Sequence, residues 1–183
     1  KMENFLSRIK TEMLILSREF ITFRKLPNGM SLKEPSTLLA TWFGSGLLRP
    51  MSGTWGTIAA IPFGYAIVAT GGWKALLLAA LICLIIGVFV SDLYCKRSGE
   101  HDPSAIVIDE VSGMWLAALP AGEDLLGWFI AFIAFRIFDI LKPWPASYFE
   151  GKKVGGINVM LDDTFSGIYA FILVATYMWF FPY

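Results

Sequence analysis

The sequence predicts an all-α integral membrane protein: a compact bundle of about five membrane helices, one short enough to be a partial crossing, with an N-terminal amphipathic helix in the membrane interface. Three observations predict it. Of 183 residues, 56% are hydrophobic and only 16% charged, against about 25% charged in an ordinary soluble domain. Apolar runs of near-spanning length follow one another, and about 17 to 25 residues are enough to cross a hydrocarbon core. The basic residues crowd the turns on one side.

In residues 3–25 the apolar positions Phe5, Ile9, Met13, Leu16, Phe20 and Phe23 recur at intervals of three and four. That spacing makes an amphipathic helix, which lies in the interface or packs on the rest of the chain. Charges run throughout the segment, so it lacks the uninterrupted apolar core of a secretion signal. Pro27-Asn28-Gly29 and Glu34-Pro35-Ser36 break the helix and make a polar linker. The chain therefore divides into an interfacial segment, 1–35, and a membrane-embedded part, 36–183. Within the latter, spans are expected at about 55–70, 73–92, 104–120, 125–141 and 164–181. The third carries Asp109 and Glu110 and is the candidate half-span.

Thr70-Gly71-Gly72, Pro120–Asp124 and the end at Phe181-Pro182-Tyr183 are nearly free of basic residues. The other turns hold fourteen of the fifteen Lys and Arg residues, Lys74 being the exception. The positive-inside rule puts that crowded side in the cytoplasm. Asp92, Asp102, Asp109, Glu110, Asp139, Asp162 and Asp163 lie at the same ends of the spans. Ionisable groups at membrane depth are costly unless paired, hydrated or bound to a cation. Ion pairs at helix ends, such as Arg136 with Asp139, would account for individual acids, but so many neighbouring acids repel one another unless a cation bridges them.

Fifteen basic residues balance fifteen acids, leaving no field to hold a polyanion, so nucleic-acid binding is not expected. One His and two Cys exclude a His-rich or Cys-rich metal site. A single His also excludes lipid phosphatases that use two. Cysteine phosphatases require Cys-x5-Arg, but Phe89 and His101 stand six residues after Cys83 and Cys95.

Four blocks carry the candidate chemistry. Gly44–Thr57 is rich in Gly and hydroxyls and leads into the first span. Its Ser45, Gly53 and Thr54 could cradle a phosphate with hydroxyls and N–H groups, or the block is a linker or close-packed helix start. In His101–Trp115, Asp109 and Gly113 share a helical face, so a ligand or a second helix could approach beside a carboxylate. Hard oxygen donors of this kind suit Mg²⁺. In Phe135–Pro145, Asp139 and Lys142 are three apart and could place a metal ligand and a phosphate-facing ammonium together. Gly155–Gly167 puts Asp162 and Asp163 at the start of the last span.

In that order, the motifs Gly44-Ser45-Gly46-Leu47 with Gly53-Thr54-Trp55-Gly56-Thr57, Ile106-Val107-Ile108-Asp109-Glu110 with Gly113-Met114-Trp115, Phe135-Arg136-Ile137-Phe138-Asp139 with Lys142-Pro143-Trp144-Pro145, and Gly155-Gly156 with Asp162-Asp163 and Gly167 resemble the phosphatidylglycerophosphatase A family. The resemblance implies a Mg²⁺-dependent phosphatase of the bacterial inner membrane that converts phosphatidylglycerophosphate to phosphatidylglycerol and phosphate. It implies Asp109, Glu110, Asp139, Asp162 and Asp163 as the essential acids and metal ligands. Lys142 and Arg136 would then neutralise phosphate charge. The family pattern does not require an imidazole at 101; from the residues themselves, His101, with a reference pKa near 6.5, could protonate the leaving oxygen, and Asp102 beside it is a further catalytic candidate. The partners expected are the phospholipid substrate and the bilayer. The oligomeric state is left open, since small residues on the first span (Ala59, Ala60, Gly64) permit close contacts within or between chains. The competing reading is a small transporter or ion-binding membrane protein, which would distribute polar groups through the depth of the spans.

Overall fold

The structure, a computed structural model, describes residues 21–100, 103–149 and 155–181. It is mostly helical, as the composition requires. Two short strands, β1 (Thr22–Phe23) and β2 (Leu48–Arg49), pair antiparallel. Between them lies α1 (Pro35–Ala40). Then come α2 (Ser52–Ser98), α3 (Ile108–Ala118), α4 (Leu125–Leu141), the short α5 (Ala146–Phe149) and α6 (Gly156–Phe180).

Helix α2 is two helices joined end to end. Gly72 breaks it with φ 68° and ψ −175°, a combination closed to side-chain-bearing residues, at the turn expected between the first two spans. The second half ends at Gly99, in the left-handed region, whose N–H bonds Cys95 O at 3.0 Å. Lys96 and Arg97 complement the negative end of the helix dipole there. Arg97 also forks onto both carboxylate oxygens of Glu34 at 2.6 and 2.9 Å, tying the linker to this end. That pairing holds the exposed Glu34 carboxyl down to about 2. At the opposite end of the bundle the Asp124 carboxylate caps α4 by accepting from the N–H groups of Leu126 and Gly127.

Helix α3 is central. Eleven residues make it about 16 Å long, too short to cross a core of about 30 Å. Nine of the eleven are buried against α2, α4 and α6. The expected span at 104–120 is corrected accordingly: Val107 N–H bonds Ala40 O at 2.9 Å, which holds the preceding residues out of the helix. Glycines set how closely the helices approach. A Cβ on Gly113 would meet the Phe135 ring at 2.5 Å and Asp163 O at 2.8 Å, and one on Gly167 would meet Gly113 O at 2.6 Å. Ala60 and Gly64 face inward, with Trp115 Nε1 donating to Ala60 O at 2.9 Å. Here these small residues serve contacts within the chain.

Among the described residues two helices, α2 and α6, are long and apolar enough to cross a membrane by length and composition. Their most apolar stretches are only 28% and 39% buried, unlike the core helices of a soluble protein. Leu78, Ile85, Phe89, Phe129, Ile133 and Ile172 all project outward, and an exterior of this kind fits lipid better than water. Two further expectations change. Helix α6 begins at Gly156 rather than near 164, because Gly156 can lie directly on Val88 O and Asp92 N, where a side chain would collide. The amphipathic helix expected over 3–25 lies outside the described residues except for 21–25. These are not helical, because Thr22 and Phe23 pair with Arg49 and Leu48.

Candidate functional site

Four helix segments converge at one end of the bundle. The first turn of α3 carries Asp109 and Glu110, next to the positive end of its dipole. The second turn of α6 carries Asp162 and Asp163. The end of α4 carries Arg136 and Asp139, with Lys142 just beyond, its own φ at 41° and its N–H bonded to Phe138 O. The start of α2 carries Gly53 and Thr54. A Cβ on Gly53 would collide with Glu110 Oε1 and lie 3.1 Å from Arg136 Nη1. The bare glycine is therefore what lets both side chains reach this turn.

The acids divide into two sets. Oxygens of Asp109, Glu110 and Asp163 lie within 4.8 Å of one another, as three ligands to one metal ion would. Asp139 and Asp162 are instead held by cations. Arg136 Nη1 is 2.6 Å from Asp139 Oδ2, and Lys142 Nζ is 2.5 Å from Asp162 Oδ2 and 3.7 Å from Asp139 Oδ1. Burial works against the Lys142 charge, but Asp162, Asp163 and Asp139 outweigh it and push its pKa up, so it is an ammonium throughout the physiological range. Asp109 and Asp162 each accept the N–H of the next residue, at 3.0 and 2.9 Å.

Several polar atoms here are buried with no hydrogen-bond partner: Glu110 Oε2, Thr54 Oγ1, and Nε and Nη1 of Arg136. The Arg136 ion pair is short but misaligned for a hydrogen bond. Buried polar groups are normally satisfied, so an unmet acceptor and unmet donors flanking the same glycine leave room for a ligand of both signs. The all-oxygen donor set suits a hard divalent cation.

These blocks are those of a known family. Residues 38–178 match phosphatidylglycerophosphatase A. The chain belongs to that family. The phosphatidylglycerophosphatase A of Haemophilus influenzae is 40% identical over 150 residues, covering 79% of this chain and 90% of the relative. That of Escherichia coli K12 is 37% identical over 140 residues, covering 76% and 81%. A Bacteroides thetaiotaomicron protein, whose name proposes phosphatidylinositol-3-phosphatase activity, is 38% identical over 158 residues, covering 81% and 98%. No solved structure matches the chain significantly. Phosphatidylglycerophosphatase A enzymes act on a phosphate monoester, the chemistry that the motifs imply.

Of the candidates for this chemistry, Asp109, Glu110, Asp139, Asp162, Asp163, Arg136, Lys142, Gly53 and Thr54 come together. Ser45 does not join them by hydrogen bonding; its hydroxyl donates to Trp42 O at 2.9 Å within its own turn. His101 and Asp102 lie outside the described residues. A feature the sequence did not announce is a cavity of about 580 Å³ beside the start of α2, lined by Arg24, Arg49, Ser52 and Ser104 among others. Arg49-Pro50, directly before the glycine-rich turn, was its only sign.

Proposed function

We propose that this protein is a Mg²⁺-dependent phosphatidylglycerophosphate phosphatase, a multi-pass protein of the bacterial inner membrane with its site at the cytoplasmic face. The observation that carries the reading is the trio of buried Asp109 and Asp163 with half-buried Glu110, without an ion pair among the described residues, beside the unsatisfied donors of Arg136 and Thr54. The trio would hold Mg²⁺, with Asp139 and Asp162 as further candidate ligands. When bound, the ion offsets the carboxylate charge, polarises the phosphoryl group and activates water.

The chain's own residues do the rest. Arg136 offers Nε and Nη1 to phosphate oxygens, and the Thr54 hydroxyl adds a third donor. Lys142 supplies a fixed positive charge as negative charge moves to the leaving oxygen. Asp139 and Asp162 aim the two cations, so that neither collapses onto the trio. One acid of the trio would take the proton of the attacking water. His101 would return a proton to the glycerol oxygen as its bond to phosphorus breaks. Basic turns at this end support a position at the inner-leaflet headgroups.

The test is phosphate release from phosphatidylglycerophosphate in detergent, with Mg²⁺ or with EDTA, for the parent, D109N and D163N. Turnover is expected only in the parent with metal. Metal-independent turnover, or full activity in both variants, would overturn the reading.

A further inference from the structure

The cavity beside the start of α2 has a polar wall of Arg24, Arg49, Ser52 and Ser104. The strand pairing assembles it: Thr22 lies opposite Arg49, and Arg24 N–H bonds Leu47 O at 2.7 Å. Arg24 Nη2 donates to Ser104 Oγ at 2.5 Å, and Ser52 Oγ donates to Ser104 O at 2.5 Å. Two segments far apart in sequence are thereby held together across the cavity. Among the described residues neither guanidinium has a carboxylate partner, and the Arg49 side chain makes no hydrogen bond. Two uncompensated arginines on one wall form an anion site, and their planar donor forks match phosphate oxygens. Ser52 immediately precedes Gly53, which lies against Glu110. The cavity therefore opens one residue from the carboxylate trio.

The substrate proposed above carries two phosphates. Its terminal monoester is the one hydrolysed. Its phosphodiester, one glycerol away, keeps a negative charge through the whole reaction and needs a cation that is not engaged in the chemistry. We infer that Arg24 and Arg49 form the subsite for this uncleaved phosphodiester, with Ser52 and Ser104 holding the wall in place. The subsite selects headgroups that carry a second phosphate a glycerol's length from the scissile one. This inference rests on the phosphatase reading.

The experiment measures hydrolysis of phosphatidylglycerophosphate in mixed micelles by the parent, R24Q, R49Q and R49K. Phosphatidate serves as the competing ligand: it has the same acyl anchor and a phosphomonoester but no phosphodiester. R24Q and R49Q are each expected to raise KM about tenfold with kcat nearly unchanged. R49K, which keeps the charge but not the fork, should raise it about threefold. The inhibition constant of phosphatidate should stay the same in all four proteins. An equal weakening of phosphatidate would mean a general anionic-lipid surface and overturn the subsite. An active parent with unaltered KM in R24Q and R49Q would overturn the subsite alone. A parent that releases no phosphate from phosphatidylglycerophosphate would overturn the phosphatase reading and the subsite with it.

Discussion

Replacing Gly53 by Ala should separate the site from the fold. The three atoms nearest the new Cβ are all side-chain atoms, Oε1 and Cδ of Glu110 and Nη1 of Arg136. No backbone of another helix stands in the way, and Ala in a helix is better than Gly by about 0.5–1 kcal/mol. The strain falls on the end of a flexible glutamate, which relieves it by retreating about 1 Å, to ordinary contact distance. A misplacement of that size in a catalytic arrangement reduces the rate about 100-fold, or about 2.7 kcal/mol in the barrier. The expected result is a melting temperature within a few degrees of the parent, with kcat/KM down about 100-fold and a higher half-saturating Mg²⁺ concentration. The assay is phosphate release across a Mg²⁺ titration, with a thermal melt of the same detergent preparation. Parent-like rates at every Mg²⁺ concentration would refute the placement of Glu110, and a collapsed melt would refute the claim that Gly53 serves the site rather than the packing.

Gly113→Ala is the contrast: the Phe135 ring and the Asp163 carbonyl cannot yield as a glutamate can, so thermal melts should show a loss of about 1–3 kcal/mol. Glu110→Gln and Asp163→Asn should raise the melting temperature of metal-free protein by relieving repulsion, and should abolish the stabilisation by Mg²⁺, which for the parent is about 2.7 kcal/mol at 100 times Kd. Lys142→Ala strands Asp162 and should cost about 3–5 kcal/mol, while the K142A/D162N pair should lose less than the single variants summed, as denaturation of all four proteins of the cycle would show. Because the Glu34 carboxyl is depressed from 4.5 to about 2 by the Arg97 bond, its contribution to holding the linker is complete above pH 4.5 and fades as pH falls toward 2. Protection factors against hydrogen exchange at residues 29–34, taken relative to the intrinsic rate at each pH, should therefore fall across that window in the parent and less in R97Q.

What the sequence reveals and conceals follows from how far each interaction reaches along the chain. Arg136 and Asp139 are three residues apart, so helical spacing alone brings them together. Lys142 and Asp162, twenty residues apart, meet only because α4 and α6 pack. The turn at Gly71-Gly72 is legible because glycine is a local signal. The late start of α3 is not, since Ala105, Ile106 and Val107 are as apolar as the helix that follows. What keeps them out of the helix is a turn closed on Pro103 O and a bond from Val107 N–H to Ala40 O, far back in the chain. The early start of α6 is obscured for a related reason. Asp162 and Asp163 look like the polar end of a span, but they sit inside the helix because Gly156 lets it start earlier, directly against Val88 O and Asp92 N. The anion cavity depends on a strand pairing between residues 22 and 49, within a segment whose periodicity suggested a helix.

The division of the acids explains why five carboxylates can share one end of a buried helix cluster. At about 5 Å and an effective dielectric near 20, two ionised carboxylates repel by about 3.3 kcal/mol, so ionising all three members of the trio would cost about 10 kcal/mol. That is comparable to the whole stability of a typical domain, about 5–15 kcal/mol. Arg136 and Lys142 relieve it only in part, since each is already beside Asp139 or Asp162. Five carboxyl groups against two cations leave three that can be ionised together only beside a further cation. If the protein needed only structural neutrality here, turning Arg136 from Asp139 toward Glu110 would satisfy Nη1 and Oε2 together. Nη1 instead stays on Asp139 without a hydrogen bond, and Oε2 has no hydrogen-bond partner. Holding the guanidinium and the glutamate apart is destabilising for the empty protein, and it is the arrangement expected where a divalent cation occupies the acidic side and a phosphate the basic side. The same arrangement accounts for Gly53, since any side chain there would fill the space between them.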